Sequence, residues 1–413
     1  MRDARARSAT TDAHLQPLLS LLTPEAQLLF SAAAGPEADG EIEKLLSLDL
    51  DWVEICRLAD REKVAPMLWR RVRQIAPDRV PVGADAHLRK LARVVDFQMS
   101  YLEQLTLKSA NALDRAGIDY TLLKGAALAG SIYGSFARRP MIDLDLLVRA
   151  SDAQGTVQAL ASAGWLWRPD KSVDGDFSGL HHLPAMLDPN GMVSVEIHTT
   201  LLPPGAPFSI STEAVLQSGR IVAFGAGALR VPNPAYLLLH ACVHLTWAHL
   251  FRQGGLRTFR DVGAIVESPD MDWPRFIDLA KRHNAGTCAF WTLHLAQRLL
   301  GVGIPESVLQ QLRPPLPGFF IRALERHFTL VLVPNGITCP SASLRRVMWS
   351  AGILPQLNSH GDSRPWKVLE LRPQDRPERE GRREARLLSA ARHSRKEWGR
   401  YWASLFLASP AYR

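Results

Sequence analysis

An α+β fold is predicted by three features of the chain: a strand-glycine-helix-strand unit at 118–148, a pair of extended runs at 183–199, and helical periodicity on either side of both. The expected architecture is a mixed β-sheet with packed helices, flanked by N- and C-terminal helical regions. The boundaries fall at a helical region 1–116, a sheet-bearing domain 117–232, a helical domain 233–312 and a helical, basic region 313–413. A chain of 413 residues is long enough for about two to three domains of ~100–200 residues each. With 46% hydrophobic and 22% charged residues it has apolar material for more than one core, which excludes disorder throughout.

Residues 1–17 are polar. From Leu18 to Ala76 the chain reads as short helices, with Leu45, Leu48, Trp52, Val53 and Cys56 at helical spacing. Pro77, Pro81 and Gly83 interrupt, and Ala84 to Ala116 reads as one long amphipathic helix ending at Gly117. Its apolar stripe is expected to include Leu91, Val94, Phe97, Leu102, Leu105 and Leu113.

Ile118 to Leu123 form an expected strand that stops at Lys124-Gly125, where glycine allows a close turn into a helix over Ala126–Tyr133. Free N–H groups at such a helix start favour an anion. After Arg138, Arg139 and Pro140 comes a strand from Ile142 to Val148. Its period of two puts Asp143 and Asp145 on one face. Two carboxylates this close repel unless a cation lies between them, and their oxygens suit Mg²⁺ together with substrate phosphates. That chemistry is phosphoryl or nucleotidyl transfer; the plainer alternative is two aspartates at a strand end facing water.

A third carboxylate comes from the runs around Asp188-Pro189-Asn190-Gly191, a turn-forming sequence. On the second run Ser194, Glu196 and His198 share a face, so alignment with the Asp143 strand brings Glu196 to the two aspartates. His181 and His182 open the first run. An ordinary structural role remains an alternative for all three histidines, and for Tyr133, which either stacks on a base or joins the core.

Leu123-Lys124-Gly125, Tyr133, Arg138 or Arg139, Asp143-Leu144-Asp145-Leu146-Leu147-Val148 and Val195-Glu196-Ile197-His198 resemble the signature of the uncharacterised nucleotidyltransferase family, within the DNA polymerase β-like nucleotidyltransferase superfamily. The resemblance extends over about residues 84–305. It implies a palm-type mixed sheet at 117–232 as catalytic domain and 233–312 as the substrate side. It also implies two Mg²⁺ ions, with Mn²⁺ as an alternative, held by Asp143, Asp145 and Glu196. A nucleoside monophosphate would pass from a nucleoside triphosphate to an acceptor: a small molecule, a peptide or RNA. Lys124, Gly125, Ala126, Arg138, Arg139 and His198 would contact substrate. The superfamily's Gly-Ser or Gly-Gly turn is Gly125-Ala126 here, without the phosphate-touching hydroxyl, and Lys124 is the expected substitute. The gap from Gly125 to Asp143 is longer than in minimal members.

Asn233-Pro234 opens the next helical region, with Asn233 as N-cap. His240, His244 and His249 lie along it, expected as buried histidines or a substrate wall. Two readings stay open for Arg257 and Asp261: contact with substrate, or a buried pair holding two helices. Beyond 318 the resemblance fades. Residues 364–400 carry twelve Lys/Arg against six Asp/Glu, either a solvated helical face or a site for RNA, an acidic peptide or membrane phosphates. This tail either docks on the body or binds a partner.

Cys56, Cys242, Cys288 and Cys339 form no Cys-x-x-Cys pair, so no zinc site or disulfide framework is expected, and a cytoplasmic location fits. No secretory leader, membrane-spanning run or DNA-binding motif is found. The rival functions are a phosphotransferase or hydrolase using the same metal pair, and a catalytically idle scaffold binding RNA or a peptide.

Overall fold

A computed structural model describes residues 18–167, 181–203, 206–333, 339, 341–354 and 395–406. The polar segment 1–17, the loop expected beside the site at 169–180 and most of the basic stretch 364–400 lie outside the described residues. So do most of the turn expected at 334–340 and the extended segment at 365–377.

A small mixed sheet sits among helices, as expected for α+β. Its order is β1-β2-β4-β3. β1 (Tyr120–Leu122) runs antiparallel to β2 (Asp143–Val148), β2 runs parallel to β4 (Ser194–His198), and β3 (Met186–Leu187) is antiparallel to β4. β2 starts one residue later than the apolar alternation implies. Ile142 precedes it with its side chain 56% exposed, although its carbonyl still accepts from Ser194 N at 3.3 Å. Leu144 through Val148 are all buried. The helices Lys124–Leu128 and Thr212–Gln217 both pack on this strand, and only Asp143 at its start is partly exposed.

The turn between β3 and β4 is fixed by one side chain. Asp188 accepts from Asn190 N (2.9 Å) and Val193 N (2.8 Å), and Tyr101 Oη donates to it at 3.1 Å. Gly191, at φ +66°, completes the reversal. β5 (Arg220–Phe224) and β6 (Gly227–Val231) form a separate antiparallel hairpin. Thr121 Oγ1 of β1 donates to Arg230 O of β6 at 3.3 Å.

The long helix spans Val82–Arg115. Leu102, Leu105 and Leu113 face inward as expected, but Val94 and Phe97 are 47% and 64% exposed. Steps of three from Leu91 each lag one helical turn by about 60°, and Phe97 has therefore rotated off the buried face. Leu88, Ala92 and Met99 are buried in their place.

Asn233 caps the helix Pro234–Val243 by accepting from Tyr236 N at 3.1 Å. That helix continues as a π turn over His244–Ala248, just as the helix after β1 continues as a π turn over Ala129–Tyr133. Further helices follow at Gly255–Val266, Trp273–Arg282, Gly286–Leu300, Glu306–Leu312, Gly318–Leu332 and Ala342–Ile353. One contiguous set of buried apolar side chains runs from Leu18 to Leu405. Among the described residues no helix is long and apolar enough to cross a membrane.

Of the tail, residues 395–406 dock on the body. The helix Arg395–Phe406 packs on Gly318–Leu332, burying Tyr401 completely with its hydroxyl 2.8 Å from His327 Nδ1. Burial pushes the His327 imidazole down to about 3. In the unfolded chain it titrates near its ordinary value of about 6.5. Between those two values the unfolded state takes a proton that the folded state refuses, so this group's contribution falls as pH is lowered from about 6.5 towards 3. Urea unfolding of a His327→Gln variant at pH 7, 6 and 5 is expected to lose up to about 1.4 kcal/mol per pH unit of the acid slope. An unchanged slope would show that His327 is not buried neutral.

Candidate active site

Parallel pairing of β2 with β4 sets Asp143 beside Ser194, Asp145 beside Glu196 and Leu147 beside His198. The two-residue period of each strand then gathers Asp145, Glu196 and His198, whose ligand-capable atoms all lie within 4.8 Å of one another. Asp145 is 2% exposed. Its Oδ1 lies 2.8 Å from His198 Nε2 and 2.7 Å from Lys124 Nζ, and His198 Nε2 is 3.6 Å from Glu196 Oε2. Asp143 stands outside this tight group but within electrostatic reach of Asp145, Glu196 and Lys124.

The charges are mutually dependent. Burial, reinforced by Asp145, raises the Asp143 carboxyl to about 6. Burial acts the same way on Asp145, but Lys124 and His198 outweigh it and hold that carboxyl below its ordinary value. Contact with His198 lowers Glu196. Burial disfavours the charged forms of His198 and Lys124, yet the surrounding carboxylates prevail and raise both.

Lys124 reaches Asp145 from an unusual backbone. Its φ of +46° is left-handed, which costs a residue with a Cβ about 1–2 kcal/mol. The left-handed position in this turn is therefore Lys124, whereas the sequence suggested that Gly125 provides the close turn. Gly125 is needed for a different reason. A Cβ there would lie 3.0 Å from Met141 Sδ and 3.2 Å from Met141 Cβ. Ala126 is buried, and the helix expected over Ala126–Tyr133 is α-helical only over Lys124–Leu128.

Arg138 and Arg139 separate. Arg138 is exposed, while Arg139 is buried and grips Asp261 with both ends of its fork, Nε to Oδ1 at 2.6 Å and Nη2 to Oδ2 at 2.7 Å. Tyr133 Oη donates to the same Asp261 at 3.0 Å. The buried pair suggested for Arg257 and Asp261 thus forms between Arg139 and Asp261, and Tyr133 is anchored in it. Arg257 makes no hydrogen bond or ion pair among the described residues. Burial, with Arg139 as a like-charged neighbour, lowers its affinity for its proton, and Asp261, then Glu62 and Asp143, are the opposing charges nearby.

Two rows of imidazoles surround the carboxylates. The His181 and His182 rings lie 4.2 Å apart, and they sit 6.1 and 5.4 Å from the His198 ring. The His240–His244 and His244–His249 ring distances are 5.8 and 4.4 Å. Burial is the main cause that keeps His181 at about 4, His240 at about 3 and His249 at about 4, so these three imidazoles are neutral. His198 Nδ1 and His240 Nε2 are buried without a partner among the described residues.

A family model for uncharacterised nucleotidyltransferases matches residues 49–301, more than half of the chain. The chain belongs to that family. Membership takes in the N-terminal helices from Asp49, further than the sequence resemblance reached, and points to nucleotidyl transfer as the activity. The Asp145, Glu196 and His198 side chains suit a divalent cation: two hard carboxylates and an imidazole, already charge-compensated by an ammonium group. No curated protein and no solved structure matches the chain.

The Arg139–Asp261 fork ties the segment before β2 to the Gly255–Val266 helix. Removing one partner of a buried pair leaves the other charge uncompensated, at a cost of about 3–5 kcal/mol. Arg139→Met and Asp261→Asn are each expected to lose that much in urea denaturation, while Arg138→Ala changes stability by less than about 0.5 kcal/mol. Equal effects at 138 and 139 would contradict this division of roles.

Proposed function

We propose that the chain is a metal-dependent nucleotidyltransferase that moves a nucleoside monophosphate from a nucleoside triphosphate to a hydroxyl or phosphate of an acceptor. The observation that carries this reading is the register of β2 and β4, which puts Asp145 opposite Glu196 beside Asp143 and His198. Asp143, Asp145 and Glu196 would hold Mg²⁺ or Mn²⁺, with His198 orienting Asp145 and Glu196 or contributing a ligand nitrogen. Bound there, such ions would stabilise the attacking and leaving oxygens of an in-line displacement at phosphorus.

The chain's own cations have separable tasks. Lys124 neutralises Asp145 in this structure. Once a divalent cation shares those carboxylates, its ammonium is free to take a phosphate oxygen. Arg257, near Asp143 and without an ionic partner among the described residues, is a second phosphate contact. Arg139 acts through Asp261 and Tyr133 as a positioning residue, although the sequence suggested substrate contact. His181, held neutral by burial, flanks Glu196 with His182 beside it, on the side we assign to the acceptor.

The deciding experiment is thermal unfolding with each nucleoside triphosphate, with and without Mg²⁺, on wild type and Asp143→Asn/Asp145→Asn. A triphosphate at ~100 times its dissociation constant adds about 2.7 kcal/mol. That gain is expected only with Mg²⁺ and only in wild type. No shift with any triphosphate would remove the reading, and label from an α-phosphate appearing on an acceptor separates nucleotidyl transfer from phosphoryl transfer.

Lys124→Met supplies an independent check. With the competing ammonium gone, Mn²⁺ alone, followed by electron paramagnetic resonance, is expected to bind at least as tightly as in wild type. The triphosphate is expected to bind about tenfold more weakly, roughly one charge-assisted contact. Loss of Mn²⁺ binding in this variant would place Lys124 in the structural support of the site instead.

A further inference from the structure

A cavity of about 730 Å³ lies between the helices Gly286–Leu300, Glu306–Leu312 and Gly318–Leu332, and shares no residue with the carboxylate site. That is the size of pocket that receives a small organic ligand. Part of it falls beyond residue 301, where the family match ends.

Its floor is already neutralised. Glu325, 8% exposed, accepts from Arg298 Nε at 3.1 Å and lies 2.9 Å from His294 Nε2. Glu306 accepts from the neutral Gln310 amide at 3.4 Å and keeps its charge. At Gly318 the balance is different. Arg322 Nη1 and Arg313 Nη2 come within 3.7 and 3.9 Å of the point where a Gly318 Cβ would stand. Neither guanidinium makes a hydrogen bond or ion pair among the described residues. Two like charges from different elements therefore converge on one spot of the cavity wall with no carboxylate between them. The 15-residue helix that begins there has no side-chain cap, so its first N–H groups reinforce the same sign.

We propose that this cavity is a second binding site, for a small molecule carrying a phosphate or pyrophosphate group. The group would sit between Arg313 and Arg322. Paired guanidinium forks offer several donors to a multi-oxygen anion, which a single carboxylate ligand would leave partly unused. The organic part would extend along the stacked Phe290 and His294 rings, 5.2 Å apart at an interplanar angle of 10°. Such a site needs no divalent cation, since its counter-charges belong to the protein.

The test is isothermal titration calorimetry with inorganic pyrophosphate in EDTA, which silences any metal-dependent binding at the carboxylates. One binding event is expected in wild type and unchanged in Asp143→Asn/Asp145→Asn, whether or not the nucleotidyltransferase reading holds. In Arg313→Ser/Arg322→Ser it is expected to weaken at least tenfold. Both arginines are exposed, and thermal unfolding confirms that the variant stays folded. Arg275→Ser, at an exposed arginine outside the cavity, controls for general surface charge. Absence of binding in wild type overturns the proposal, and so does unchanged binding in the double arginine variant or equal weakening in Arg275→Ser.

Discussion

The parallel pairing of β2 and β4 forces like charges together, and the neighbouring structure answers that constraint. Asp143 and Asp145 are two residues apart on one strand, and Glu196 lies across from Asp145 on the next. Without a cation this arrangement would repel strongly, because burial removes the water that would otherwise screen it. Lys124 and His198 supply the compensation, both through the same oxygen of Asp145. The left-handed backbone at Lys124 is a consequence: a conformation that costs about 1–2 kcal/mol persists only when the surroundings dictate it. Here a 2.7 Å contact with a buried carboxylate does so.

A second buried pair keeps the helices in place around that centre. Arg139 and Asp261 join the chain entering β2 to the Gly255–Val266 helix, and Tyr133 adds a third element to the junction. Arg257 is carried on the same helix as Asp261, so the pair also determines where the uncommitted guanidinium stands. One ion pair is consumed in architecture and leaves the other cation available.

The elements with strong local signals were legible in the sequence. Alternation marked β2, the turn-rich Asp188–Gly191 marked the β3–β4 reversal, and Asn233-Pro234 marked a helix start that the structure caps as expected. The meeting of Asp145 with Glu196 was legible too, because a strand's period fixes which side chains share a face once the register is given. The features that escaped depend on partners distant in sequence. Nothing near Arg139 indicates that its carboxylate is 122 residues away. Propensity favours Gly125 over Lys124 for a left-handed position, and the buried carboxylate overrides that preference. In the long helix, a stripe chosen in steps of three drifts around the axis, so Val94 and Phe97 were assigned to the wrong side. His198 was grouped correctly with Glu196, but its hold on Asp145 needed the parallel register.

Both helices that border the centre end in π turns, at Ala129–Tyr133 and His244–Ala248. A π turn holds one residue more than the α-helical turn it replaces, and it is a common outcome of a one-residue insertion into a helix. Such a segment is therefore intolerant of shortening. Removing one residue between Ala129 and Tyr133 would restore regular winding and rotate the downstream side chains by about 100°, carrying the tyrosine hydroxyl away from Asp261. The number of residues in these two segments is thus as much a part of the site's construction as the side chains they carry.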